Sequence, residues 1–345
     1  MRSPQIFGEV VELQALQNWL TAEVQPQAEA IDQDPAVLAT VLGQMGDRGW
    51  LGLSLPAIAG EAALSPLQVW QAQAAIASAS GALAFLQTQH QSAAAFLARH
   101  CPGDRCLQGL RQGQPKVGIG FSHLRRSPVP LQAQWQGDQI CLSGQLPWLT
   151  GWGFFEEFLI AAPLPDGQIL FCLIPASAPE WQVSPLALAA MGTTGTVAAQ
   201  LSITLPRDRL VTIQPATWIH DRDRQGILSP TAFACGVARA AIRTLEKQSL
   251  DSAALLQSRL EQIEQAIAAT LLQPERSPDR ALDLRVQALA LMHRCTQAAV
   301  FSAAGAANSL QHPAQRLYRE ALAFSVLGLT ADLQARYLMA IATAD

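Results

Sequence analysis

The stretch GQLPWLTGWGFF, residues 144–155, sets Trp148, Trp152, Phe154 and Phe155 among three glycines and a single hydroxyl, Thr150. Aromatic residues make up only 6 % of the chain, so this concentration is local. Indole faces suit a large, flat, apolar partner, and a threonine hydroxyl can donate or accept at the edge of such a ring. A hairpin whose tryptophans serve only as core uses the same residue types. His90, in QTQHQSAAA, and His123, in GIGFSH, are candidate proton handlers near neutral pH. A hydrogen-bonded core histidine is the plain alternative for each. Arg125 and Arg126 follow His123 and suit either a phosphate or solvent. His312 precedes Pro313 and reads as a helix cap, with Arg316 and Arg319 on the same helix reading as ion-paired. MGTTGT, residues 191–196, lacks the lysine and following helix of a phosphate loop.

Three textures must position these residues. In VLATVLGQMGDRGWLGL, Val37, Leu38, Val41, Leu42 and Met45 recur at helical spacing and predict a helix with one buried stripe. SPLQVWQAQAAIASASGALAFLQTQHQSAAAFLARH reads as two further helices, the first opened by Ser65-Pro66. CPGD at 101–104 breaks that pattern. Short β-prone runs then follow from 116 to 213, with Gly137-Asp138 and Asp166-Gly167 suited to tight hairpins. From about 226 four helix-length segments return, two opening with Ser-Pro and one with His-Pro. The expected fold is α+β: an N-terminal helical domain (1–115), a small antiparallel β-barrel or sandwich (116–213) and a C-terminal four-helix bundle (214–345).

Composition narrows the function. Half of the 345 residues are hydrophobic, 14 % are charged and the net charge is −4. Without a basic excess or a lysine/arginine cluster, neither nucleic acid nor an anionic membrane is an expected partner. MRSPQIFGEVVELQALQNWL has no apolar signal-peptide core, and apolar stretches such as 231–242 are too short to span a bilayer. Cysteines 101, 106, 141, 172, 235 and 295 are scattered, and the Cys101/Cys106 pair has no second pair to complete a zinc site. Reduced thiols, a cytoplasmic location and no metal are the expectation.

The order helices, strands, helices resembles the acyl-CoA dehydrogenase family, and matching stretches cover nearly the whole chain. RGWLGLSLPAIAGEAALS is similar to the family's N-terminal turn, and GIGFSH to its strand and loop beside the flavin pyrimidine. DQICLSGQLPWLTGWG is similar to its Gly-x-Lys-x-Trp-Ile-Thr run, MGTTGT to its Met-Gly-x-x-Gly-Ser turn, and AQRLYREA to the start of its last helix. The resemblance implies that Trp148 stacks on a flavin, that Thr150 bonds near flavin N5, and that Ser122 bonds the pyrimidine end. Gly305 and Thr330 would complete the cofactor contacts, with FAD, or else FMN, as the flavin. A small-molecule substrate of the acyl-CoA kind, an electron-transfer partner and a homo-oligomer, dimer or tetramer, are also implied.

Departures from the family pattern bear on chemistry. The family's α-proton abstraction uses a glutamate at one of two places, and those places fall here on Gly328 and Gly226. His90 is then the candidate base, because its helix faces the acyl side of the ring in relatives. The acyl-CoA-facing Gly-Ser-Asp and the Arg-x-x-Phe-Gly that reaches a partner's FAD phosphates have no counterparts in SHLRRSPVP and LEKQSLDSAALL. The implied activity is flavin-dependent oxidation of a CH–CH bond in an acyl thioester or related substrate. Two alternatives stand beside it. One is a reduced-flavin monooxygenase or hydroxylase, similar at HPAQRLYREA but with Phe324 and Leu327 where such relatives carry histidines. The other is a catalytically inactive flavin- or ligand-binding member.

Overall fold

The computed structural model describes residues 13–56, 63–101 and 104–343. The leader reading of residues 1–12, the central part (57–62) of the N-terminal turn, the Pro102-Gly103 break and the Cys106 side chain lie outside the described residues. A helix over 13–19 runs into a π-helical turn, Leu20–Val24, before α1 (Ala28–Gln33) and α2 (Pro35–Asp47). As the spacing predicts, α2 buries Leu38, Val41, Leu42 and Met45, and Asp34 caps it by accepting from the Ala36 amide. Ser65 starts α3 (Pro66–Ala79) with a reciprocal capping box to Gln68. Ser80 then ends α3 and caps α4 (Gly81–His100), giving the two expected helices, and α5 (Asp104–Gln112) follows.

The β region makes two four-stranded sheets. One has the order β1 (Val117–Gly120), β4 (Glu157–Pro163), β5 (Ile169–Pro175), β8 (Leu210–Gln214). The other runs β2 (Leu131–Gln136), β3 (Gln139–Leu149), β7 (Val197–Pro206), β6 (Trp181–Pro185). Both expected hairpins form, at Gly137-Asp138 between β2 and β3 and at Asp166-Gly167 between β4 and β5. Pairing is antiparallel except β1 with β4, whose parallel register runs from Val117↔Glu157 to Gly120↔Ile160. The apolar run EFLIAAP has a physical reason: Phe158, Ile160 and Ala162 join the core between the sheets. Leu159 and Ala161 meet Ala93, Ala94 and Leu97 of α4 on the other face. A strand covered on both faces loses the polar alternation that β3 keeps.

His90 is part of this frame. Its Nδ1 accepts from the Val117 amide at 2.9 Å, so Nε2 carries the proton and donates to the Leu110 carbonyl at 2.6 Å. The ring is fully buried and ties α4 to α5 and β1. Burial holds its pKa below the usual histidine range. Both ring nitrogens, one of which a base would use, are engaged with backbone groups.

The C-terminal region holds α6 (Trp218–Gln225), α7 (Thr231–Glu246), α8 (Leu250–Leu271), α9 (Pro278–Ala303), α10 (Pro313–Ser325) and α11 (Ala331–Ala342). The fourth expected helix is two, because Gly328 takes a left-handed conformation (φ +60°) between α10 and α11. The small residues of FACGVARAAI let α7 approach α3 of the same chain: a Cβ at Gly236 would stand 2.4 Å from the Ala74 carbonyl. His312 caps α10 by accepting from the Ala314 amide. Arg316 pairs with Glu29 and Glu320, and Arg319 pairs with Asp32. Glu320 also accepts from the Gly81 amide at 3.1 Å, locking α10 to the start of α4. No helix among the described residues is long and apolar enough to cross a membrane.

His90→Ala leaves the Val117 amide without its partner and the Leu110 carbonyl with only the Gly113 amide at 3.3 Å, so chemical denaturation at pH 7 is expected to register a loss of about 1–3 kcal/mol. The folded-state pKa lies below the unfolded value of 6.5, so the stabilisation is present above 6.5 and is lost as pH falls. Wild-type protein should lose stability faster than the variant on acidification from pH 7 to 5. Parallel curves would show that His90 has no such role.

Candidate functional site

Two loops build the site. The backbone after β3 meets the backbone before β7: the Gly151 amide donates to the Thr194 carbonyl at 3.0 Å and the Trp152 amide to the Gly195 carbonyl at 2.9 Å. Glycine is required at both contacts. A Cβ at Gly151 would stand 2.0 Å from the Phe155 ring, and one at Gly195 2.3 Å from the Trp152 carbonyl. Both glycines also have positive φ. Met191 is buried and left-handed (φ 56°) without being glycine, a conformation that costs about 1–3 kcal/mol and needs external support. Thr194 supplies it, through its amide at 3.1 Å and its hydroxyl at 2.8 Å, both donating to the Met191 carbonyl.

A chain of hydroxyls follows. Thr194 Oγ1 lies 3.1 Å from Thr196 Oγ1, which lies 3.0 Å from Thr150 Oγ1. Each hydroxyl has one proton. The Thr194 proton is spent on Met191, so Thr196 donates to Thr194 and Thr150 donates to Thr196. The Thr150 oxygen keeps a lone pair for a donor arriving from outside. Next to this chain the buried Thr193 hydroxyl has no hydrogen-bond partner.

The two tryptophans lie in different surroundings. Trp152 packs inward, stacked on Phe158 with centroids 5.8 Å apart and edge-on to Trp181. Trp148, two residues before Thr150, is 49 % exposed. A short 3-10 turn, Ser122–Arg125, packs against β3 and β4. Gly120 just before it is pressed among Leu146, Leu149 and Ile160, which carries exposed Ser122 toward the Trp148 end of β3. His123 is buried in that turn. Its Nε2 donates to the Ala161 carbonyl at 2.9 Å while Nδ1 has no partner, and desolvation lowers its pKa to about 4. At neutral pH it is uncharged.

Other expected site residues sit elsewhere. Gly305 lies exposed in the 3-10 turn Ala304–Asn308, whose packing neighbours are α9 and α10. Thr330 caps α11, its hydroxyl accepting from the Leu333 amide at 3.4 Å. Gly226 ends α6, and a Cβ at Gly328 would stand 3.9 Å from Pro230 Cγ, so the two places of the family's glutamates lie near one turn. Arg125, expected at a phosphate or in solvent, forms a two-point ion pair with Asp223 of α6 at 2.7 and 2.5 Å.

Sequence reasoning missed Arg285. It lies on α9, is 4 % exposed, and donates from Nη2 to the carbonyls of Leu327 and Gly328 at 2.5 and 3.1 Å. The signal was available: Ala281, Leu282, Arg285, Leu289 and Met292 fall on one buried helical stripe, and Arg285 is its charged member.

Known proteins can now be set beside this geometry. Residues 12–102 match the family model described as acyl-CoA dehydrogenase, N-terminal domain. The structure of glutaryl-coenzyme A dehydrogenase in its glutaryl-CoA complex superposes with a TM-score of 0.79 at 17 % identity, over 96 % of this chain and 94 % of that one. Butyryl-CoA dehydrogenase from Megasphaera elsdenii gives 0.80 at 14 % identity over 100 % of both chains. Nitroalkane oxidase crystallised with 1-nitrooctane gives 0.77 at 13 % over 100 % and 97 %. No curated protein matches the sequence. The chain therefore has the acyl-CoA dehydrogenase fold. In sequence, residues 12–102 are similar to that family's N-terminal domain.

The half-exposed Trp148 and the inward Trp152 separate binding from folding. Trp152→Ala is expected to cost about 3 kcal/mol in chemical denaturation, and Trp148→Ala to stay within about 0.5 kcal/mol. In a flavin titration the order reverses, with Trp148→Ala weakening binding by about 0.5–1.5 kcal/mol beyond lost area. Equal losses of flavin affinity would remove Trp148 from the stacking role.

Proposed function

We propose that the protein is a flavin-dependent oxidoreductase of the acyl-CoA dehydrogenase fold, acting on a small acyl substrate of the CoA thioester kind or a relative of it. The observation that carries this reading is the half-exposed Trp148 indole beside a polarised hydroxyl chain that ends on a strained, buried Met191. The lone Thr193 hydroxyl and the bare Thr150 lone pair suit the polar edge of a flat heteroaromatic ring. Trp148 would stack on the ring, Thr150 would accept from its edge, and Ser122 would face the pyrimidine end. FAD is the proposed flavin, with FMN as the smaller alternative. When bound, the flavin supplies hydride and single-electron chemistry. The protein's own contribution is orientation: Gly151 and Gly195 hold Thr150 in place, and Trp152 excludes water behind it.

Proton abstraction by a protein carboxylate finds no support at the two family positions, both glycine, or at His90. That observation favours a second reading beside dehydrogenation: oxygen-dependent chemistry on an externally reduced flavin, or flavin or ligand binding without turnover. Visible absorbance of purified, flavin-loaded protein tests the first point. Anaerobic bleaching by an acyl-CoA supports dehydrogenation; bleaching only by a reductase or chemical reductant supports the second reading. An absence of flavin binding at micromolar concentration overturns both flavin roles.

Association of two copies through the C-terminal helices belongs to the same proposal, together with an electron-transfer partner. Helix α11 buries only Leu333, while Leu338, Met339 and Ile341 are exposed on it and Tyr318 and Leu322 on α10. Covering such a face favours an isologous dimer or a tetramer. Sedimentation is expected to show a dimer or tetramer at micromolar concentration, and Met339→Glu should shift it toward monomer. A wild-type monomer would overturn this part.

A further inference from the structure

Two adjoining cavities lie among the helices, and no residue of the 150–152 or 191–196 loops lines either. The larger, about 620 Å³, is walled by residues 17–25, α3, α7 and α8. The smaller, about 200 Å³, lies where α3 and α7 end and α10 begins. Gln25, Ser78 and Arg243 line both. Ser78 holds the Arg243 guanidinium in this shared wall: Nη1 donates to its hydroxyl and Nη2 to its carbonyl, each at 2.8 Å. Each of those nitrogens keeps a second N–H. Arg239, Arg243 and Lys247 recur every four residues on α7 and its C-cap, so they share one helix face. Their charges are not equally matched. Arg239 pairs with Glu264, and Arg316, which also lines the smaller cavity, pairs with Glu29 and Glu320. Arg243 and Lys247 have no carboxylate within ion-pair distance among the described residues. Burial lowers the Arg243 pKa, and Arg239 and Arg316 lower it further against the opposing pull of exposed Glu246. The carbonyls that end α7 supply about half a negative charge, less than two cations require. The larger cavity has another chemistry. Gln17, Gln71 and Gln265 bring side-chain amides with no hydrogen-bond partner among the described residues, and Leu20 and Leu67 add apolar wall.

We propose that the two cavities form one further binding site, for a phosphate monoester with a hydroxyl-bearing body of sugar size. The phosphate lies in the smaller cavity against Arg243 and Lys247, and the body lies in the larger one among the glutamine amides. A guanidinium fork beside an ammonium matches a doubly charged phosphate in geometry and in charge. Amides that both donate and accept match hydroxyls, which do the same. The site is independent of the flavin reading above, because none of its residues belongs to the loops that carry Thr150 and Met191.

Calorimetric titration of the full chain with ribose 5-phosphate, ribose and inorganic phosphate tests it. Ribose 5-phosphate is expected to bind at least tenfold more tightly than either fragment, with affinity falling as salt rises. Arg243→Gln should remove at least tenfold of that affinity. Should it not fold, Lys247→Glu serves, because residue 247 is exposed and the new carboxylate would neutralise Arg243. That variant is also expected to lose at least tenfold. Gln71→Leu should weaken ribose 5-phosphate and leave inorganic phosphate unchanged. Three results would overturn the proposal: no binding at millimolar concentration, equal binding of inorganic phosphate (an adventitious ion only), or undiminished binding by Lys247→Glu. Displacement of flavin by ribose 5-phosphate, read by absorbance, would place the phosphate in the flavin site and overturn it as well. Absence of flavin binding leaves the titration readable, so the two readings fail separately.

Discussion

The backbone pairing of residues 151–152 with 194–195 is the contact on which the site depends. It brings the turn between the two sheets against the loop that precedes β7, with glycine on both sides because any Cβ would collide. With the loops closed, Trp152 is committed to the core and Trp148 to the surface, and three threonine hydroxyls fall into line. The strain at Met191 is tolerable only inside this clasp, since both groups that hold its carbonyl belong to Thr194.

Among the helices, charge does part of the positioning. Arg316, Glu320 and Glu29 form a largely buried ion-pair cluster where α10 meets α1. Arg125 and Asp223 form a two-point pair, whereas the buried Arg285 guanidinium is held by the Leu327 and Gly328 carbonyls.

Much of this was legible in residue order. Ser65-Pro66, Gly137-Asp138 and Asp166-Gly167 act through local backbone preferences, so the helix start and both hairpins appear where they were expected. The split at Gly328 was not foreseen, because an isolated glycine in an apolar run reads equally as helix interior. His90 misled for a different reason. Its partners, Leu110 and Val117, lie 20 and 27 residues away, and no periodicity announces a backbone carbonyl. The β1–β4 parallel pair was hidden in the same way, since parallel strands are joined by distant chain.

The route of the chain through the two sheets has a consequence for synthesis. Strand β1 enters one sheet, β2 and β3 the other, β4 and β5 return, β6 and β7 cross again, and β8 closes the first. Neither sheet is contiguous in sequence, so no nascent fragment ending before residue 206 holds all the strands of either, and the first sheet needs the chain to residue 214. Loop-closure entropy must be met for both sheets before either repays it. The middle region should therefore be acquired in one late, cooperative step, and the helices preceding β1 must wait with the face that later receives β4 and β5 open to solvent. A chaperone that recognises apolar helix faces would meet this protein during that interval.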